Sequence, residues 1–183
     1  DLMKGMEAEH CQRGDSGDEF EPGNYPGVRT TPRDEWNIVM NREAGERASV
    51  KKRRVRHYED VMEDEIAKKA GLIEAEVIAL LLYTGPMFFK YNAMLRRFPK
   101  GAFEGLKNNK YTSVLFCIVS GIVKLARVME VPPSRKVYRG LGGLKLPDAF
   151  VKEDEHGVRG GAEFAMLSTT VDPSVALQYA ETK

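Results

Sequence analysis

Residues 136–141, Lys-Val-Tyr-Arg-Gly-Leu, have the composition of a short β-strand. The valine, tyrosine and leucine favour a pleated, half-buried surface. Arg139 stands next to Gly140, and a glycine lets a ligand approach the backbone closely. A guanidinium carries a planar fork of donors that suits a phosphate or a carboxylate, so Arg139 is a candidate binding residue. The alternative is an ordinary arginine on the solvent face of a strand.

The composition of the 183 residues is typical of a globular protein, with 42% hydrophobic and 30% charged residues. The net charge of +1 gives no global field that would select nucleic acid or an acidic membrane. Cys11 and Cys117 stand far apart and the three histidines are scattered, so neither a disulfide framework nor a metal site is expected. The start of the sequence lacks the pattern of a secretory leader, and no apolar run reaches the roughly 18 residues of a membrane span. We therefore expect a soluble, intracellular protein.

Residues 1–57 are predicted to form a disordered or extended tail that is polar and, towards its end, basic. Acidic residues, glycines and prolines dominate residues 1–35, where few apolar side chains would form a core. Residues 51–57, Lys-Lys-Arg-Arg-Val-Arg-His, would suit nucleic-acid docking on a helical scaffold. No aromatic residues interleave these cations to stack on bases, so a solvated surface is the favoured interpretation and no nucleic-acid partner is expected.

Helices are predicted over about 58–70, 73–84, 88–97 and 111–130. In the last of them the apolar residues recur at the spacing of one helix face: Val114, Ile118, Ile122, Leu125 and Met129. Further apolar residues, among them Val119 and Val123, flank that face, so burial on more than one side is predicted.

A second strand is predicted at residues 163–170, after a loop rich in glycine and charge. Alternation along a strand places Ser168 and Thr170 on one face and Thr169 on the other. Asp172-Pro173 then favours the start of a helix, because aspartate caps helices and proline fits the first helical position. For Ser168 alone, a strand end closed by hydroxyl groups is the simpler interpretation.

The ordered set of motifs resembles the arginine-specific mono-ADP-ribosyltransferases, a family with an Arg, Ser-Thr-Ser, Glu-x-Glu signature. Tyr138-Arg139-Gly140 is similar to the first motif, and Ser168-Thr169-Thr170 to the second, with Thr170 where serine is commoner. Upstream, three short elements are similar to the helical part of the same domain: Tyr83-Thr84, Tyr91-Asn92 and Leu95-Arg96. The resemblance covers about Ala75 to Lys183.

The resemblance implies an α+β fold, with a helical N-terminal lobe and a partial mixed β core, over residues 58–183. It implies NAD as co-substrate, an acceptor protein as partner, and transfer of ADP-ribose to a protein arginine with release of nicotinamide. Arg139 would grip the phosphates of NAD, and the backbone of Gly140 would hold the nicotinamide carboxamide. Ser168 would order the nicotinamide ribose side, with Thr170 in support. Use of NADP and nucleotidyltransferase chemistry were also expected.

The sequence departs from the family pattern at the third motif, because no Glu-x-Glu follows Ser168-Thr169-Thr170. Breaking the nicotinamide glycosidic bond develops oxocarbenium character at the ribose, which a neighbouring carboxylate stabilises. Glu181 falls in the predicted last helix and is not assigned that role. A fragment that ends before the motif is the expected explanation. The alternative is a catalytically incomplete module that binds NAD or another protein.

Overall fold

Helices form the regular structure of the residues that the computed structural model describes, namely 1–11, 31–45, 56–142 and 145–181. In chain order these helices are α1 (Leu2–Cys11), α2 (Pro32–Gly45), α3 (Tyr58–Met62), α4 (Glu65–Ala70), α5 (Glu74–Thr84), α6 (Phe88–Arg96), α7 (Lys100–Glu104), α8 (Thr112–Val128) and α9 (Pro173–Glu181). A short 3₁₀ helix covers Asp148–Phe150. The chain divides into two compact units, Asp1–Glu130 and Val131–Lys183.

The core of the first unit lies where α5 packs on α8. The apolar side chains of Ile78 on α5 and of Val114 and Ile118 on α8 are fully buried. The two helices approach closely at Gly121, where an added Cβ would lie 2.8 Å from Cδ1 of Leu80. The small residue in the middle of an apolar helix therefore sets the helix contact, and α5 and α8 form the centre of the unit.

A buried carboxylate ties the same two helices together by polar contacts. Glu76 of α5 is 2% exposed, and its oxygens accept hydrogen bonds from Ser120 Oγ at 2.6 Å and Lys124 Nζ at 2.8 Å, both on α8. Glu76 also accepts from the backbone N–H of Ile73 at 2.9 Å, which caps the start of α5. Lys124 donates a further hydrogen bond to the carbonyl of Gly71, the residue that ends α4 in the left-handed conformation. Burial raises the pKa of Glu76, but the hydrogen bonds from Lys124 and Ser120 hold it below its ordinary value.

Helix α1 is held against the start of α8 by Glu9. Its carboxylate accepts from the backbone N–H groups of Ser113 at 2.6 Å and Val114 at 3.1 Å, two donors that the first turn of a helix leaves unsatisfied. A carboxylate at a helix N-terminus is also favoured by the helix dipole. Gly5 lies so close to Ser113 that an added Cβ would lie 2.3 Å from its Oγ. A residue far away in sequence thus caps α8.

The prediction of a disordered or extended tail over residues 1–57 is wrong for two segments, since residues 2–11 and 32–45 form α1 and α2. Each segment places its few large side chains on one helical face: Met6 and His10 in α1, and Trp36 and Val39 in α2, are at most 1% exposed. The prediction rested on the polar average composition of residues 1–57, which does not reveal these two pairs of buried side chains. Residues 12–30 and 46–55, which include most of the basic run, lie outside the described residues.

The predicted partial mixed β core is also wrong, because the described part of the chain contains no β-sheet. Segments 136–141 and 163–170 are extended and meet in one isolated antiparallel bridge between Tyr138 and Thr170. The apolar residues that favoured strands remain exposed there: Val137 is 53% exposed, Phe164 78% and Leu167 58%. Segments with a high strand propensity form a stable sheet only when further strands or a helix cover their apolar face. Two paired segments alone do not provide that cover.

Most of the helix predictions between residues 58 and 130 are confirmed. The predicted helices at 73–84, 88–97 and 111–130 correspond to α5, α6 and α8. The predicted helix at 58–70 is broken into α3 and α4, because the Asp64 side chain accepts from the Ile66 N–H at 3.0 Å and starts a new helix. Burial of α8 on more than one side is wrong, since Val119 and Val123 are 54% and 45% exposed.

We predict that Glu76→Gln destabilises the protein by about 2–4 kcal/mol, because the new amide group puts a donor beside the ammonium of Lys124. Urea unfolding followed by circular dichroism measures the effect. The matched control is Glu63→Gln, whose carboxylate pairs with Lys68 at a surface site where its side chain is 77% exposed. That change should cost no more than about 0.5 kcal/mol. Equal free energies of unfolding for the two variants would contradict the role given to Glu76.

A second buried polar group, His10 of α1, packs against the aromatic residues Tyr91 and Tyr111. Its Nε2 is 3.1 Å from the Tyr91 hydroxyl, and both tyrosine rings meet the imidazole edge-on. Its Nδ1 is buried and has no hydrogen-bond partner among the described residues. Burial, with a smaller contribution from Lys90, lowers the pKa of His10 from 6.5 to about 4. The folded protein therefore holds His10 neutral.

This lowered pKa predicts an acid-dependent loss of stability. At a pH between about 4 and 6.5, His10 is protonated in the unfolded chain but neutral in the folded protein. The free energy of unfolding therefore falls as the pH drops from about 6.5 towards 4. Between about pH 7 and about pH 5, the free energy of unfolding should fall by about 2 kcal/mol more in the native protein than in His10→Gln. Urea titrations at the two pH values measure the difference, and identical pH dependence in both proteins would refute it.

Candidate functional site

The first and second motifs are brought together by backbone hydrogen bonds in the unit Val131–Lys183. The Tyr138 N–H donates to the Thr170 carbonyl at 2.7 Å, and the Thr170 N–H donates to the Tyr138 carbonyl at 2.9 Å. This reciprocal pair fixes the register of segment 136–141 against segment 163–170. Arg139 therefore follows directly on the bridge, next to the end of the second motif.

The side chain of Arg139 turns back onto the second motif. Its Nη1 donates to the Ser168 carbonyl at 3.1 Å, and both residues are exposed. A guanidinium has five N–H donors, and this contact uses one. The bond orients the planar group beside Ser168, where it presents a permanent positive charge at the surface. Arg139 and the Ser168 segment are thus in contact in the structure.

The two hydroxyl residues that share a face in the prediction have different surroundings. Ser168 is exposed, whereas Thr170 is half-buried, and Thr170 Oγ1 accepts from the Asp172 N–H at 3.1 Å. Asp172 in turn caps α9, because its Oδ1 accepts from the Ser174 N–H at 2.8 Å and from the Ser174 hydroxyl at 2.7 Å. The predicted helix start at Asp172-Pro173 is confirmed, and Thr170 is linked to it.

Gly140 lies against the backbone of α9. An added Cβ at this position would lie 2.3 Å from the Ala176 carbonyl oxygen, 2.6 Å from the Ala180 nitrogen and 2.8 Å from the Tyr179 carbonyl carbon. Backbone atoms of a helix do not move aside as a flexible side chain does, so only glycine fits here without a shift of α9. The glycine that the sequence assigned to ligand approach therefore also serves the packing of this unit.

The upstream elements of the resemblance lie in the unit Asp1–Glu130. Tyr83 and Thr84 end α5, and Asn92 of α6 donates from its Nδ2 to the Tyr83 hydroxyl at 3.3 Å. Tyr91 is fully buried beside His10, and Asn92 is 5% exposed. These residues join α5 to α6 and serve the packing of the first unit.

The family model described as NAD:arginine ADP-ribosyltransferase matches residues 31–181. The chain belongs to this family. It is therefore an NAD-dependent ADP-ribosyltransferase, with NAD as co-substrate and a protein as acceptor. No curated protein and no solved structure matches the chain. The family match does not support the expected use of NADP or nucleotidyltransferase chemistry. A nucleotidyltransferase breaks a phosphate linkage, whereas an ADP-ribosyltransferase breaks a glycosidic bond.

Five Glu-x-Glu triplets occur in the sequence, all of them upstream of the second motif, and none is assigned to ADP-ribosyl transfer. In Glu74-Ala75-Glu76, Glu74 accepts from Arg33 Nε at 2.7 Å and Glu76 is buried under Lys124, so both carboxylates hold helices together. The other four triplets, at 7–9, 19–21, 63–65 and 153–155, also precede Ser168 in sequence, contrary to the order of the family signature. No residue of 1–183 is therefore assigned as the carboxylate of this ADP-ribosyltransferase.

Two kinds of feature are absent from the described residues. No three His, Cys, Asp or Glu side chains among them come together in a way that would hold a metal ion. Within the same residues, no helix has the length and apolarity that crossing a membrane requires.

At the described end of the basic run, Arg56 pairs with Asp64 at 3.0 Å and donates to the Asp60 carbonyl at 2.8 Å. This cation therefore contacts α3 and the residue that caps α4.

Proposed function

We propose that this ADP-ribosyltransferase moves ADP-ribose from NAD to an arginine side chain of an acceptor protein and releases nicotinamide. The observation that carries the proposal is the position of Arg139, whose exposed guanidinium is oriented beside Ser168 by a 3.1 Å hydrogen bond. The family match over residues 31–181 supports the same chemistry. A fixed guanidinium at the surface is suited to a pyrophosphate, which presents several anionic oxygens to a planar fork of donors.

The proposed roles are those that the family resemblance implies. Arg139 binds the phosphates of NAD, and the backbone at Gly140 holds the nicotinamide carboxamide. Ser168 contacts the nicotinamide ribose. Thr170 supports the site indirectly, because its hydroxyl oxygen accepts from the Asp172 N–H and its backbone pairs with Tyr138.

The proposed reaction breaks the bond between the nicotinamide nitrogen and C1′ of the ribose, and the electron pair leaves with nicotinamide. A guanidine nitrogen of the acceptor arginine forms the new bond to C1′ and loses a proton. Arg139 stays bound to the pyrophosphate throughout, so it holds the ribose in place while positive charge develops at C1′. These roles are those of binding and orientation.

The test is NAD consumption by the full-length protein with agmatine as a small guanidine acceptor. We predict that Arg139→Ala lowers nicotinamide release about 100-fold, because the main phosphate contact is lost. Arg139→Lys should give an intermediate loss, since it keeps the charge but not the planar fork. Chromatography of nicotinamide and mass spectrometry of ADP-ribosyl-agmatine provide the two readouts.

The matched control is Arg135→Ala, on an exposed arginine of the same unit, which should leave turnover unchanged. Cadaverine, which carries amines and no guanidine, should not replace agmatine as the acceptor. Undiminished turnover in Arg139→Ala would refute the site assignment, and transfer to cadaverine instead of agmatine would refute the arginine acceptor. Binding of NAD without nicotinamide release would favour the alternative, an NAD-binding module.

A further inference from the structure

Arg139 is held on both sides by contacts of the main chain. On one side, Tyr138 pairs with Thr170 through two backbone hydrogen bonds of 2.7 and 2.9 Å. On the other side, Gly140 packs on the backbone of α9, where an added Cβ would overlap Ala176 and Ala180. The guanidinium therefore projects from a residue whose two neighbours are both fixed.

The start of α9 is built from the same segment that pairs with Tyr138. Thr170 Oγ1 accepts from the Asp172 N–H at 3.1 Å, and the Asp172 carboxylate accepts from the Ser174 N–H at 2.8 Å. Asp172 is exposed, and its carbonyl accepts from the Ala176 N–H at 3.4 Å, within the first turn. Asp172 thus links the Thr170 end of the bridge to Ala176, the first of the α9 residues that lie against Gly140.

We propose that α9 and its cap Asp172 position Arg139 for NAD, so that Asp172 is a positioning residue for the ADP-ribosyltransferase site. This inference rests on the proposed role of Arg139 in binding NAD. When the cap is intact, α9 presses its backbone against Gly140 and keeps the Arg139 segment in register with Ser168. When the first turn of α9 frays, Ala176 is displaced, the contact of α9 with Gly140 weakens and the guanidinium is no longer fixed beside Ser168. Asp172 itself does not touch NAD in this arrangement.

The experiment measures the dissociation constant of NAD by isothermal titration calorimetry for the native full-length protein and five variants of it. Asp172→Ala should weaken NAD binding about fivefold, which is the factor by which losing a helix cap shifts a local equilibrium. Asp172→Ser should restore binding to within about twofold, because serine caps a helix almost as well as aspartate. Gly140→Ala should weaken binding at least as much as Asp172→Ala, since the added methyl group displaces α9. Asp148→Ala, which removes an exposed aspartate paired with Lys152, is the control and should bind NAD normally.

Rescue by serine separates a cap from a charge effect. Equal losses for Asp172→Ala and Asp172→Ser would overturn the inference, and so would unchanged binding in Asp172→Ala. Comparison with Arg139→Ala separates this inference from the proposed function. If Arg139→Ala loses NAD while Asp172→Ala and Gly140→Ala bind it normally, only the positioning role fails. If Arg139→Ala binds NAD normally, the proposed role of Arg139 fails and takes the positioning role with it.

Discussion

The buried carboxylate of Glu76 is the contact on which the helical unit depends. It accepts hydrogen bonds from two side chains of α8 and from the backbone N–H of Ile73, the residue before α5. Lys124 also donates to the carbonyl of Gly71 at the end of α4. A charge that is 2% exposed is stable only when its partners surround it, so α4, α5 and α8 have one compatible arrangement. The close approach at Gly121 and the cap that Glu9 gives to α8 complete a unit that is specified by a few polar contacts among apolar helices.

The candidate site in the other unit depends on backbone geometry instead of a buried charge. One bridge sets the register between the two motifs, and one glycine lets a helix backbone come into contact beside the arginine. Neither feature requires a complete sheet. Packing therefore explains part of the ADP-ribosyltransferase motif. Gly140 and Thr170 fix the two segments from which Arg139 and Ser168 project.

The sequence predicted those features that arise from local patterns. Helical spacing located α5, α6 and α8, and Asp172-Pro173 located the start of α9. The two motifs that the resemblance singled out contain Arg139 and Ser168, and a hydrogen bond joins these two residues in the structure. The sequence failed where the outcome depends on distant partners. Strand propensity at 136–141 did not produce a sheet, the sparse apolar pairs of α1 and α2 were hidden by polar neighbours, and the contact of Gly140 with Ala176 has no local signal.

The most direct measurement is a structure of the full-length protein with NAD bound. If Arg139 is the phosphate-binding residue, an oxygen of the pyrophosphate will lie about 3 Å from its guanidinium, with Gly140 still packed on α9 and the ribose next to Ser168. If NAD lies elsewhere, with its pyrophosphate beyond hydrogen-bonding distance of Arg139, the site assigned to this ADP-ribosyltransferase is wrong.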